Sequence, residues 1–197
     1  GGPPGAIMMF TRSLTQVKVS LTVPLLATKF NLPPTSPRLV RRERLYQSLD
    51  AALEAQIQLV LVCGPAGYGK TTLISEWLRR LTAIHPDQAA WLSIESSDND
   101  LTRFLTYFIA ALQRVRPTFG QGVLKLMQTH KPQPPQTLAT LIINELSEFP
   151  ERIYLVLDDF HLITALQVHQ FIEFLIDHQS HPLCLILITR SDPPLPL

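Results

Sequence analysis

The sequence predicts an α/β fold, a three-layer sandwich in which a parallel sheet is flanked by helices, and three observations carry that prediction. Ile57-Gln58-Leu59-Val60-Leu61-Val62-Cys63 is an apolar, β-branched run suited to a buried strand. A glycine-rich turn follows it at once, and after the turn Leu73, Ile74, Trp77, Leu78 and Leu81 recur on one helical face. Two further apolar runs, ending at Asp158 and at Thr189, alternate with helix-period segments, the pattern of strands buried on both faces.

The turn itself reads Gly64-Pro65-Ala66-Gly67-Tyr68-Gly69-Lys70-Thr71, which is G-x-x-x-x-G-K-T. Its glycines let the backbone turn tightly, so that successive N–H groups and the positive end of the next helix face an anion. Lys70 supplies a mobile ammonium for β- and γ-phosphates, and the Thr71 hydroxyl is a ligand for Mg²⁺. Strand, loop and helix stand in the order a phosphate-binding loop requires. The expected nucleotide contacts are Gly64, Pro65, Ala66, Gly67, Tyr68, Gly69, Lys70, Thr71 and Thr72, and the fold class narrows to a P-loop NTPase.

The chain has 197 residues, 46% hydrophobic and 17% charged, which is enough apolar material for a sizeable core. A net charge of +1 offers no whole-domain field for nucleic acid, so DNA contact is expected only through another part of the protein. No apolar run reaches membrane-spanning length. The run 19–27 is interrupted by Pro24 and lacks a small-x-small cleavage site, so export is not favoured and a cytoplasmic setting is expected. Cys63 and Cys184 both lie in strand-like runs and read as small core residues.

Residues 1–37 form a Pro- and Thr-rich arm, expected to be extended, and 38–197 form the nucleotide-binding domain. A helix opens near Val40-Arg41-Arg42-Glu43-Arg44 and runs to about Ala55, burying Leu45, Leu49, Ala52 and Leu53. Its arginines read either as a solvated helix start or as a turn against the nucleotide base. Ala89 to Ile94 is a strand. Ser97 and Asp100, at capping-box spacing, start a helix whose Leu101, Phe104, Leu105, Phe108, Ile109 and Leu112 form its buried stripe. Residues 116–136 make a long connection with a short helix at 123–128. A helix from Thr137 then points Leu138, Leu141, Ile142, Leu146 and Phe149 inward.

Ile153-Tyr154-Leu155-Val156-Leu157-Asp158-Asp159 ends an apolar strand in two acids. Asp158 is the expected Mg²⁺ ligand and Asp159 the expected general base for an attacking water. His161 reads as a γ-phosphate sensor or as a structural histidine. The helix 165–178 buries Leu166, Phe171, Ile172, Leu175 and Ile176, with His169, His178 and His181 at the surface. The strand 183–189 ends at Arg190, which either contacts γ-phosphate or pairs with Asp192 in a turn.

Four stretches resemble the nucleotide-binding module of the signal-transduction ATPases with numerous domains (STAND), most nearly the large ATP-binding LuxR-type transcriptional regulators. They are 28–30 with 37–45; 64–77; 90–93 with Asp98-Asn99-Asp100 and Arg103-Phe104; and Leu155-Val156-Leu157-Asp158-Asp159-Phe160-His161 with 189–197. The resemblance implies that the Thr189 strand lies between the Cys63 and Asp158 strands, that Val40 and Arg41 touch adenine, and that Arg190 senses γ-phosphate. Parallel strands in that order hold Cys63 and Cys184 far apart, so no disulfide is expected.

It also implies a slow ATPase switch with ATP or ADP and Mg²⁺ as cofactors. Such a switch self-associates in the ATP state of the full-length protein and contacts DNA only through a C-terminal domain outside this chain. The last strand of the sheet, beside the phosphate-loop strand, is expected to be missing. The alternative is a P-loop enzyme of another class, a small-molecule kinase or a motor-type ATPase, for which neither a basic lid segment nor a second strand-end arginine is evident. A degenerate, non-binding fold is disfavoured by Lys70, Thr71 and Asp158.

Overall fold

The structure is a computed structural model and describes residues 24–34, 42–85, 87–129, 131–178 and 182–195. Among these, four strands form one sheet: β1 (Leu59–Cys63), β2 (Ala89–Ser93), β3 (Ile153–Asp158) and β4 (Leu183–Thr189). All pairings are parallel and the order is β1-β4-β3-β2, so the Thr189 strand does lie between the other two. Cys63 is in register with Thr189 and Ser93 with Asp158, which aligns the strands' carboxyl ends along one rim.

Among the described residues six helices flank the sheet: α1 (Glu43–Glu54), α2 (Lys70–Ile84), α3 (Leu101–Gln113), α4 (Gln121–Met127), α5 (Pro135–Leu146) and α6 (Leu166–His178). The central strands β3 and β4 are buried at every position and feed two cores by alternation. Leu155, Leu157, Leu185 and Leu187 face α3, α5 and α6. Val156, Ile186 and Ile188 face α1 and α2, whose side is filled by Tyr46, Ile74, Trp77 and Leu78. The Trp77 ring meets Tyr154 edge-on at 6.4 Å, and its Nε1 donates to Asp50 Oδ1 at 2.8 Å, joining α2 to both sheet and α1.

Several sequence expectations are corrected. In α1 the buried residues are Tyr46 and Leu49, and Leu45 is exposed. Tyr46 Oη and Asp50 fasten this helix to Glu76 and Trp77, which turns its apolar face by one position. Leu141 and Leu166 are exposed as well. His169, expected at the surface, is buried, with one ring nitrogen 3.1 Å from the Ile163 carbonyl and the ring edge-on to Phe160. His178 is exposed, and His181 lies outside the described residues.

The capping box is formed by Glu95 and Asp98 around a short 3-10 turn, Ser96–Asn99. Asp100 separately caps α3 by accepting from Arg103 N. Inserting that turn separates two caps that spacing alone had merged. Helix α5 begins at Pro135, two residues early, because proline is accommodated in a first turn. Cys184 is buried but Cys63 is exposed, since it ends an edge strand. Both thiols are free, and the strand register holds them on the order of 16 Å apart.

Residues 24–34 contain one 3-10 turn, Ala27–Phe30, rather than a wholly extended arm, and they run along the β2 edge. Leu26 N donates to Tyr107 Oη on α3, while the Pro33 carbonyl accepts from Ser75 and Arg79 on α2. Lys29 is buried and paired with buried Asp98, beside Arg103 and beneath Tyr107. Only the partner explains why a lysine is buried here.

Candidate functional site

The loop 64–69 joins the carboxyl end of β1 to the amino end of α2. Gly67 (φ 81°) and Gly69 (φ 74°) are both left-handed, a conformation L side chains rarely adopt. A Cβ at either position would meet nothing within 4 Å, so the backbone conformation and not crowding calls for glycine there. No side chain caps α2 at Gly69, and the first helical hydrogen bond is Leu73 N to Gly69 O at 2.9 Å. The amides of Lys70, Thr71 and Thr72 therefore precede the ladder and have no helical acceptor, which is what a helix N-terminus offers an anion.

Lys70 Nζ donates to the carbonyls of Gly64 and Pro65, at 2.5 and 2.9 Å, which lays the ammonium across the mouth of the loop. Ala66 and Tyr68 are exposed. Tyr68 stands with Arg42, Leu45, Leu49 and Val62 around a cleft of about 370 Å³ that runs from the loop along the β1 edge. Val40 and Arg41, expected against adenine, lie outside the described residues.

The acids arrive from β3. Thr71 Oγ1 donates to Asp158 Oδ1 at 3.0 Å, and the Asp159 amide donates to the same oxygen at 3.0 Å. Burial, with the neighbouring Asp159 carboxylate adding to it, raises Asp158 from 3.8 to about 6; the two hydrogen bonds and Lys70 oppose the rise. Asp159 is left-handed at φ 58°, uncommon for a residue with a side chain though less so for Asp. That turn points its half-exposed carboxylate toward Arg190 Nη2 (3.9 Å) and His161 Nδ1 (3.8 Å). Burial lowers the His161 pKa, against the pull of Asp159. Arg190 thus pairs with Asp159, while Asp192 lies beside the exposed Cys63 thiol; local desolvation first, then Asp192, raises that thiol's pKa.

Hydroxyl and carboxylate oxygens 3.0 Å apart fit a hard cation of the magnesium type, which keeps several waters and takes further ligands from phosphate oxygens. Among the described residues no cluster of three or more His, Cys, Asp or Glu offers a different kind of metal site. Sequence reasoning missed the role of half-buried Asn99 beside this site. Asn99 bonds the segment after Asp159 across more than sixty residues of chain, a contact that no local spacing marks.

Comparison with known proteins agrees with this geometry. The HTH-type transcriptional regulator MalT of Yersinia enterocolitica (serotype O:8 / biotype 1B) is 36% identical over 171 residues, and that of Serratia proteamaculans (strain 568) 38%. Each alignment covers 87% of this chain, but the chain spans only 18% of either relative's length. The Walker-type ATPase PABY2304 of Pyrococcus abyssi shares the fold, with a TM-score of 0.50 at 15% identity over 82% of this chain and 48% of that one. A family model described as AAA ATPase domain matches residues 38–187. With the P-loop fold, the loop geometry and that match in agreement, the chain belongs to the AAA ATPase domain family.

Proposed function

We propose that this chain is the ATP-binding, slowly hydrolysing switch module of a LuxR-type transcriptional regulator, with 38–197 as the nucleotide-binding domain and 1–37 as its arm. The observation that carries the reading is the convergence of Lys70, the Thr71–Asp158 pair and Asp159–Arg190 on one rim of the sheet. The loop amides and Lys70 bind the phosphates of ATP or ADP. Thr71 and Asp158 hold Mg²⁺, which when bound neutralises charge on the phosphate oxygens. Asp159 takes the proton of the attacking water, and Arg190, now paired with that acid, is placed to exchange it for γ-phosphate. Val40 and Arg41 are assigned to the base.

The relatives' description as HTH-type transcriptional regulators supports a DNA-reading part in the full-length protein outside these residues, and the net charge of +1 agrees. Self-association in the ATP state and a cytoplasmic setting complete the proposal. Among the described residues no helix is long and apolar enough to cross a membrane. The test is titration with ATP and ADP, with and without Mg²⁺. Binding in the micromolar range that Lys70→Ala removes is expected. Equal binding by that variant refutes the assignment.

A further inference from the structure

The segment that follows the two acids is held by one side chain from the turn after the neighbouring strand β2. Asn99 closes the turn between β2 and α3. Its Oδ1 accepts from Thr164 N (2.6 Å), Ala165 N (2.9 Å) and Thr164 Oγ1 (3.3 Å). Its Nδ2 donates to the carbonyls of Leu162 (2.8 Å) and Ser96 (3.0 Å). Amides on one side and carbonyls on the other fix which way the carboxamide faces. A carboxylate has the acceptors without the donors, and a hydroxyl is too short to span both.

These bonds reach the acids directly. Leu162 N donates to the Asp159 carbonyl at 3.0 Å, so the residue Asn99 grips by its carbonyl is the one that grips Asp159. On the other flank Ile94 N, at the end of the β2 ladder, donates to the Asp158 carbonyl at 2.9 Å. The turn that carries Asn99 is itself anchored. Asp98 accepts from Glu95 N and pairs with buried Lys29 and with Arg103.

We infer that Asn99 is a positioning residue for hydrolysis. It fixes the 162–165 segment so that Asp159 keeps its left-handed backbone and its carboxylate stays on the γ-phosphate side of Asp158. Asn99 touches neither nucleotide nor water and acts only through that segment. This rests on the hydrolytic reading above, and the experiment separates the two.

The 197-residue chain and its Asn99→Ala and Asn99→Asp variants are compared for ADP and Mg²⁺–ATP affinity, single-turnover hydrolysis, and hydrogen exchange at the Thr164 and Ala165 amides. Alanine should leave both affinities within about twofold, speed exchange at the two amides, and slow hydrolysis at least about tenfold. Aspartate keeps the acceptor, so the two amides should stay protected while hydrolysis still slows, because the Leu162 carbonyl loses its donor. Should alanine leave no folded chain, the aspartate variant decides alone.

Hydrolysis within about twofold of the unaltered rate in the folded variants overturns the inference, as does an affinity loss that matches the rate loss. An unaltered chain that binds ATP without hydrolysing it also overturns this inference but spares the binding assignment. A chain that binds no ATP overturns both.

Discussion

Replacing Asp158 by asparagine should stabilise the protein while it disables the site. The carboxyl is buried and its pKa stands at about 6 against 3.8 when unperturbed, so ionising it in the fold costs about 3 kcal/mol relative to the unfolded chain. An acid whose folded pKa is raised destabilises the fold fully above that folded pKa, and the penalty fades as pH falls toward the unfolded value. Asparagine keeps an oxygen to accept from Thr71 and the Asp159 amide but carries no charge. Without Mg²⁺ or nucleotide, Asp158→Asn should therefore gain about 2–3 kcal/mol at pH 7.5, and the gain should shrink to about 1 kcal/mol at pH 4.5. In thermal melts the pH 7.5 gain corresponds to roughly 4–12 °C in Tm for a chain of this size. The same variant should lose Mg²⁺-dependent tightening of nucleotide binding. Urea or thermal unfolding at the two pH values checks the first claim, and titration with and without Mg²⁺ the second. No gain at pH 7.5, or a gain of equal size at pH 4.5, refutes the reasoning.

Three other perturbations follow from the structure. Gly120 has a φ of 73° and an added Cβ would lie 2.4 Å from Ile109 Cγ2, so Gly120→Ala should lose about 2–4 kcal/mol in urea unfolding; a loss below 0.5 kcal/mol refutes that packing. Lys29→Met strands one side of the buried Asp98 and should destabilise by about 3 kcal/mol, partly relieved in the double variant with Asp98→Asn; strictly additive losses would show the pair is not coupled. Arg190→Ala should leave ADP affinity within about twofold and slow single-turnover hydrolysis at least about tenfold. An unchanged rate removes Arg190 from the proposed site.

The parts of the fold that were legible in the sequence are those with short-range causes. Strands β3 and β4 are buried on both faces, so their apolar runs are continuous, and the glycine loop declares itself through residues that a left-handed backbone requires. The phase of α1 was not legible. That helix is fixed to α2 by polar contacts of Tyr46 and Asp50, and hydrophobic periodicity does not register those. Leu141 and Leu166 fit their helical pattern yet remain exposed, because spacing marks the direction of a face and not how far the neighbour extends. Lys29 and Asn99 take their environments from distant chain; the Lys29–Asp98 pair spans 69 residues and the Asn99–Ala165 bond 66. No local window contains such a cause. At the candidate site, Lys70, Thr71 and Asp158 each belong to a motif, whereas spacing offers Arg190 γ-phosphate or Asp192 and the left-handed turn at Asp159 brings it a third partner.

The strand order has a consequence for how the molecule comes into being. β4 is the last described strand to be synthesised, yet it sits between β1 and β3. Until it emerges from the ribosome, β1 has no partner among the described strands and the glycine loop hangs from an unpaired segment. Closing that long loop is entropically costly and comes late, so folding should be slow relative to helix formation. A nascent chain that stops short of residue 183 could form α3, α5 and the β2–β3 pair and still have no means of bringing Lys70 to Asp158. Nucleotide should therefore act on biogenesis at one moment only, when the final strand slides into the middle of the sheet.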